Sequence, residues 1–472
     1  MAPFVLPDPS VHDELRVEVT SGERPGYYKL YASYVPPIPK EHDRKGGIGA
    51  LASDVEIPFT PYEMRASLSE LTSFARSRSG TSAPLTDVQH LGALLFDRLL
   101  GRNLLRLYTQ VRDAAAKNKR GFRLRLAFPP SRPDDDASAI EHLPWELLYD
   151  PDRKDFVALS PGASIVRTRL DASRSIVPAS GPPMILAVAT EVSDRTSDSY
   201  GSDEEIQILT KMAESHDVHV QPVDRPSEET LLSELASTTA QVVHFCGTAE
   251  DEGREPALLL PARDGDLLGS TPRRVSIARV VEALASAPNV QLVFISGCDS
   301  LAAASALLRA VPAVVGFRDR GMGTAFTVVA QAFYDRLLSG DSLDVALAES
   351  RKRADRAMAG QSFWTQEVLY LSSPSGDWVW PREGGKSLLS TPDSTEPPAV
   401  AVEPPGVQIA RERRRILSAN RDELEKRRAR LQSVFNTMPD FLKAQLDETN
   451  EALAAVEAEL VALHAEPAPG GQ

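Results

Sequence analysis

Two apolar runs end in small residues and carry the chain's two cysteines. The first is Val242-Val243-His244-Phe245-Cys246-Gly247-Thr248-Ala249, and the second is Leu292-Val293-Phe294-Ile295-Ser296-Gly297-Cys298-Asp299-Ser300. Each reads as a buried strand. In an open parallel α/β sheet, ligands and reacting groups gather at the carboxyl ends of the strands. Cys298 falls there, just before a helix expected over 300–310. A helix N-terminus favours an anion, so it lowers a thiol pKa and favours the nucleophilic thiolate. Gly297 allows a sharp turn and leaves an amide free for an oxyanion, and Gly247 offers the same on the neighbouring strand. His244 is the nearest histidine in the motif and the candidate base. The alternatives stand beside these roles. A cysteine in an apolar α/β core most often only packs, as Cys246 is expected to, and a strand histidine is more often a hydrogen-bonded core residue. A His244/Cys246/Cys298 metal site lacks a fourth ligand at any standard spacing, so no metal and no cofactor are expected.

The elements that must position these residues follow from hydrophobic period. The runs 15–19 and 28–32 alternate apolar and polar residues around Gly22 and Pro25-Gly26, as a hairpin of half-buried strands would. Leucines recur at helical spacing over 85–117, interrupted at Gly101. Residues 122–128 alternate basic and apolar side chains, which predicts a sheet-edge strand. Further on, strands at 184–189, 216–220, 241–245, 291–295, 313–317 and 368–372 alternate with helices at 204–215, 227–237, 300–310, 324–338 and 342–358. Strands separated by helices predict a mostly parallel sheet of α/β class. Asp341 and Ser342 are good caps for the helix at 342–358. A proline-rich linker without periodicity spans 382–406. Beyond it, 407–466 reads as a helical hairpin or coiled coil, with Leu417, Leu424, Leu431 and Met438 seven apart. Its first helix carries nine Lys/Arg against four Asp/Glu and its second six Asp/Glu against one Lys. That asymmetry suits pairing within the chain or with another chain.

The chain has 472 residues and a formal net charge of −14. An acidic balance argues against a dedicated nucleic-acid binder. Two cysteines exclude a disulfide scaffold and a four-cysteine zinc module. No apolar run approaches the roughly 20 residues of a membrane-spanning helix, and the first residues lack the pattern of a signal peptide. A cytoplasmic, reducing setting is the expectation.

Leu143-Pro144-Trp145-Glu146-Leu147-Leu148-Tyr149-Asp150, followed by Phe156-Val157-Ala158-Leu159-Ser160 and Ile165-Val166-Arg167, resembles the segment that opens the CHAT domain. The two strand motifs, the 313–317 strand and Phe363-Trp364 before Val368-Leu369-Tyr370 fit as well. The resemblance implies a caspase-like sheet flanked by helices over 85–381, with 1–84 as a mixed N-terminal region outside it. It also implies a cysteine endopeptidase with a His–Cys dyad, acting on a protein substrate or partner effector in a bacterial defence or stress pathway. The sequence departs from the family at one dyad position. The family's first strand ends Gly-His-Gly, and here Gly247-Thr248-Ala249 stands in its place, so Thr248 occupies the position of the base. The nucleophile position is kept as Ser296-Gly297-Cys298. His244 matches a histidine common upstream of the base, four residues from Thr248 and roughly 13 Å deeper along an ideal strand.

Two functions are therefore open. One is an endopeptidase of impaired or conditional activity, with Cys298 as nucleophile, His244 as substitute base, and Gly247 and Gly297 at the oxyanion. The other is an inactive scaffold or regulatory module. In both, 407–466 serves self-association or partner docking, and no nucleic acid or membrane is engaged.

Overall fold

The structure is a computed structural model that describes residues 8–21, 27–37, 49–56, 85–101, 103–129, 140–172, 174–176, 183–190, 202–250, 255–261, 272–297, 300–318, 323–357 and 363–373. The linker expected at 382–406 and the helices expected at 407–466 lie outside them, as do Cys298 and Asp299.

The strands are β1 (Asp8–Ser21), β2 (Tyr27–Val35), β3 (Gly49–Glu56), β4 (Arg120–Phe128), β5 (Tyr149–Asp150), β6 (Asp155–Phe156), β7 (Ala163–Arg169), β8 (Met184–Thr190), β9 (His219–Asp224), β10 (Val242–Gly247), β11 (Ala249–Glu250), β12 (Ala257–Leu260), β13 (Arg273–Ser276), β14 (Leu292–Ser296), β15 (Ala313–Phe317) and β16 (Glu367–Leu371). The helices are α1 (Leu85–Leu100), α2 (Asn103–Lys117), α3 (Ser202–Glu214), α4 (Glu228–Ser237), α5 (Ile277–Ala285), α6 (Leu301–Leu307), α7 (Gly323–Leu338) and α8 (Leu343–Ala357). Eleven strands form one sheet in the order β3-β2-β1-β4-β7-β16-β15-β14-β10-β8-β9. It is mostly parallel. The antiparallel neighbours are β1/β2, β2/β3 and β15/β16. Because β16 is antiparallel to β15 but parallel to β7, the sheet consists of two parallel blocks that run in opposite directions. This is the caspase-like α/β arrangement that the sequence motifs lead one to expect.

The continuous apolar run of β8 is buried on both faces. Val242 and Phe294 face one core layer, with α1, α2, α3, α7 and α8. Val243, Phe245, Val293 and Ile295 face the other, with α4, α5 and α6. The period of two along each strand thus sends alternate residues to different helices. Local signals start the helices: Ser227 accepts a hydrogen bond from the Thr230 amide at the head of α4, and Ser276 accepts one from the Ala278 amide at the head of α5. β9 begins three residues later than its hydropathy suggests. The chain turns after α3 through Asp217, at φ 55°, before it can extend.

One reading of the N-terminal half changes. β4 is not a sheet edge: it lies between β1 and β7, and almost every residue in it is buried. Its arginines are neutralised inside the protein. Arg125 Nε donates to Glu14 at 2.9 Å, and Arg123 Nε donates to Asp344 at 3.0 Å. Asp344 also accepts from Ser164 at 2.7 Å and Ser342 at 2.8 Å, and lies 3.0 Å from His12 Nε2. Burial pushes the Asp344 carboxyl up, but Arg123 and His12 outweigh it and hold it well below the usual carboxylate range. The strands before residue 85 pair with this sheet through the parallel contact of β1 with β4.

Candidate functional site

The two motif strands lie side by side, with Cys246 opposite Ser296 in a parallel register. Their carboxyl ends touch backbone to backbone. A Cβ built on Gly297 would overlap the Gly247 carbonyl oxygen, and one on Gly247 would overlap the Thr190 hydroxyl. Both glycines are therefore required by close approach as well as by any turn. The expectation of a free Gly297 amide is corrected by this geometry. The Gly297 N–H donates to the Ile295 carbonyl at 3.0 Å, within the tight turn that ends β14. On the far side of Cys298, Ser300 is tied to the end of β15. Its amide donates to the Phe317 carbonyl at 2.9 Å, and its hydroxyl accepts from the Phe317 amide at 2.7 Å. Cys298 itself lies outside the described residues. Thr248 is half-buried, and its carbonyl accepts from the Leu259 amide at 2.9 Å.

His244 faces the helices α3 and α7 and is fully buried. Its Nε2 lies 3.0 Å from Glu205 Oε1 and its Nδ1 3.1 Å from the Tyr334 hydroxyl. Its ring stacks on Phe294, with centroids 5.1 Å apart and planes at 23°. Both nitrogens are thereby engaged, by residues that the sequence motifs do not include. Burial, then the charges of Cys246 and Glu205, push the Tyr334 hydroxyl well above its ordinary pKa, so it remains a neutral partner. Cys246 projects to the same side as His244, two residues on. The Glu205 carboxylate, the His244 ring nitrogen and the Cys246 sulfur lie within 4.8 Å of one another, all buried. Glu205 carries no signal in the sequence beyond being an acid on the apolar side of a helix.

A second buried cluster explains the Pro144-Trp145-Glu146 segment. It forms a short 3-10 turn, with the Trp145 indole donating to the Ile140 carbonyl at 2.9 Å. That turn directs Glu146 at three arginines. Arg167 donates through Nη2 at 2.5 Å and Nε at 3.2 Å, Arg318 donates at 3.0 Å, and Arg351 lies 4.0 Å away. Burial pushes the Glu146 carboxyl up, but the three arginines outweigh it and leave it below its usual range. Arg318 directly follows β15. Burial, reinforced by Arg167, depresses its pKa to about 10. Glu367, beside Arg351, is pushed up to about 8 by burial.

The model of the CHAT domain matches residues 90–372. Among solved structures, the chain is similar to one in a Saccharomyces cerevisiae separase–securin complex, at 12% identity and TM-score 0.39, over 77% of this chain and 30% of that one. It is also similar to the Drosophila initiator caspase Dronc, at 11% identity and TM-score 0.29, over 43% and 89% of the two chains. A third similarity is to a secreted C11 cysteine protease from Bacteroides thetaiotaomicron, at 14% identity and TM-score 0.26, over 36% and 57%. The chain spans about 30% of the length of the separase-complex chain it matches. No curated protein matches it. Among the described residues no helix is long and apolar enough to cross a membrane. The family match extends over more than half of the sequence and contains both strand motifs, and this chain belongs to the CHAT domain family.

Proposed function

We propose that the chain is a CHAT-like module that keeps a cysteine endopeptidase's nucleophile position, Cys298, but lacks the general base. It engages a protein partner by binding, and its proteolysis is impaired or conditional. The observation that carries this reading is the engagement of His244, whose two nitrogens are held by Glu205 at 3.0 Å and Tyr334 at 3.1 Å. Thr248, at the base position, carries a hydroxyl, which does not take a thiol proton near neutral pH. Loss of a dyad member costs orders of magnitude in rate. The partner is a protein effector of a bacterial defence or stress pathway in the cytoplasm, met in part through 407–466.

The test is cysteine reactivity in the full chain. Iodoacetamide labelling near pH 7 is read peptide by peptide, with Cys298→Ala as control and buried Cys246 as the internal reference. The reading expects Cys298 to label no faster than free cysteine and a peptide library to remain uncut. Thr248→His is expected to raise the Cys298 rate. Fast, selective labelling of wild-type Cys298 together with peptide cleavage that Cys298→Ala abolishes would overturn the proposal.

A further inference from the structure

Glu205 of α3 and His244 and Cys246 of β10 converge in the interior, with one ligand atom of each within 4.8 Å of the others. Glu205 is 3% exposed, His244 0% and Cys246 1%. Among the described residues the ion-pair partner of Glu205 is His244, with no lysine or arginine beside it. A buried carboxylate needs a countercharge. Beside the trio is a cavity of about 10 Å³, lined by Glu205, His244 and Tyr334 with Thr327 and Gln331 of α7. That is room for about one water molecule.

We propose that Glu205, His244 and Cys246 form a binding site for one divalent cation of the zinc class, with the fourth position open to this cavity. The donor set is one carboxylate oxygen, one imidazole nitrogen and one sulfur. This mixture suits a borderline-soft, tetrahedral ion and not a hard, all-oxygen one. The charges also match. With Cys246 as thiolate and Glu205 ionised, two negative charges meet two positive ones, and the site is neutral in a medium that penalises net charge. Binding breaks the Cys246 S–H bond, forms a metal–sulfur bond and releases the proton to solvent. Tyr334 then holds the ring from behind. Its hydroxyl, 3.1 Å from Nδ1, can donate or accept, so it can accept from Nδ1 once the ring proton leaves Nε2 and frees that nitrogen for the metal. The first turn of α3, which bears Glu205, favours negative charge there. The ion would clamp α3 to β10 directly below Gly247 and Thr248, and so set the position of the strand end. It does not depend on whether Cys298 is active.

The experiment is a Co²⁺ titration of the full chain after chelator treatment, followed by absorption spectroscopy and by elemental analysis with Zn²⁺. The expected result is one equivalent bound, with a thiolate-to-cobalt charge-transfer band and the strong visible bands of a tetrahedral ion. Cys246→Ser should remove the charge-transfer band and weaken binding at least tenfold, while Cys298→Ser leaves both unchanged. Glu205→Gln, nearly the same shape and with the thiol intact, should weaken binding by about 10- to 100-fold. Circular dichroism reports whether each variant folds. A folded wild-type chain that takes up no Co²⁺ or Zn²⁺ overturns the proposal and leaves a His–Glu hydrogen bond beside a packed cysteine. So does a band that survives Cys246→Ser, or Glu205→Gln binding as tightly as wild type.

Discussion

Replacing Glu146 by glutamine keeps the side chain's shape and removes the one carboxylate that three buried arginines share. Arg167 is fully buried, and the side chains of Arg351 and Arg318 are 1% and 8% exposed. The variant loses the charge behind two hydrogen bonds from Arg167 and one from Arg318. Removing one partner of a buried ion pair costs about 3–5 kcal/mol, because the other partner is left uncompensated. The three pairs share one acceptor, so their costs do not add. The glutamine oxygen still accepts one bond, and the net loss is about 4 kcal/mol, a large part of a stability of roughly 5–15 kcal/mol. At about 2–4 °C per kcal/mol for a domain of this size, the melting temperature falls by about 10 °C. Urea unfolding followed through the fluorescence of buried Trp145 and Trp364, with calorimetry alongside, measures this directly. Glu228→Gln is the control. It removes an exposed pair with Arg279 and should change stability by less than about 0.5 kcal/mol. Glu146 is also one of the charges that raise the Glu367 pKa, so Glu146→Gln should lower that pKa. If Glu146→Gln costs no more than the control, the arginines are neutralised elsewhere and the reasoning fails.

Two further outcomes follow from the same geometry. Glu367 titrates near 4.5 when unfolded and at about 8 when folded, so between those values the folded state holds the extra proton. Its contribution to stability is full below 4.5 and is lost as the pH rises to about 8, at about 1.4 kcal/mol per pH unit. Glu367→Gln should therefore gain on wild type steadily from pH 5 to pH 8 in equilibrium unfolding, and a difference independent of pH would refute the assignment. Gly297→Ala drives a methyl group into the Gly247 carbonyl and should cost at least about 2 kcal/mol. An alanine variant with an unchanged unfolding midpoint would mean that the two strand ends stand farther apart.

What the sequence reveals and hides follows from the range of the interactions. β8, β10, β14 and β15 are legible because a strand buried on both faces must be apolar throughout. The alternation of Arg123 and Arg125 misleads for a related reason. Charge at every second residue ordinarily means solvent, and here Glu14 and Asp344 supply the counter-charges from distant parts of the chain. α5 and the small sheet of β11, β12 and β13 escape notice because their segments are short. At the site, Gly247 and Gly297 are recognisable as special, but their mutual contact is a property of strand register. His244 is legible as a strand histidine. Its partners Glu205 and Tyr334 belong to two helices whose own periodicity is ordinary, and only folding brings them together.

The reversal of direction between β15 and β16 also bears on the order in which the protein can be made. β7 pairs with β4 on one side and with β16 on the other, and Tyr370 stands opposite Arg167. During synthesis, β7 has its first neighbour early, while the second emerges from the ribosome only after every other described strand. Until then, an edge of exposed amide and carbonyl groups faces outward, the kind of edge that pairs with other chains. β16 is the closing strand that joins the two blocks, so a nascent chain stopped just before it carries two open half-sheets and a high risk of aggregation.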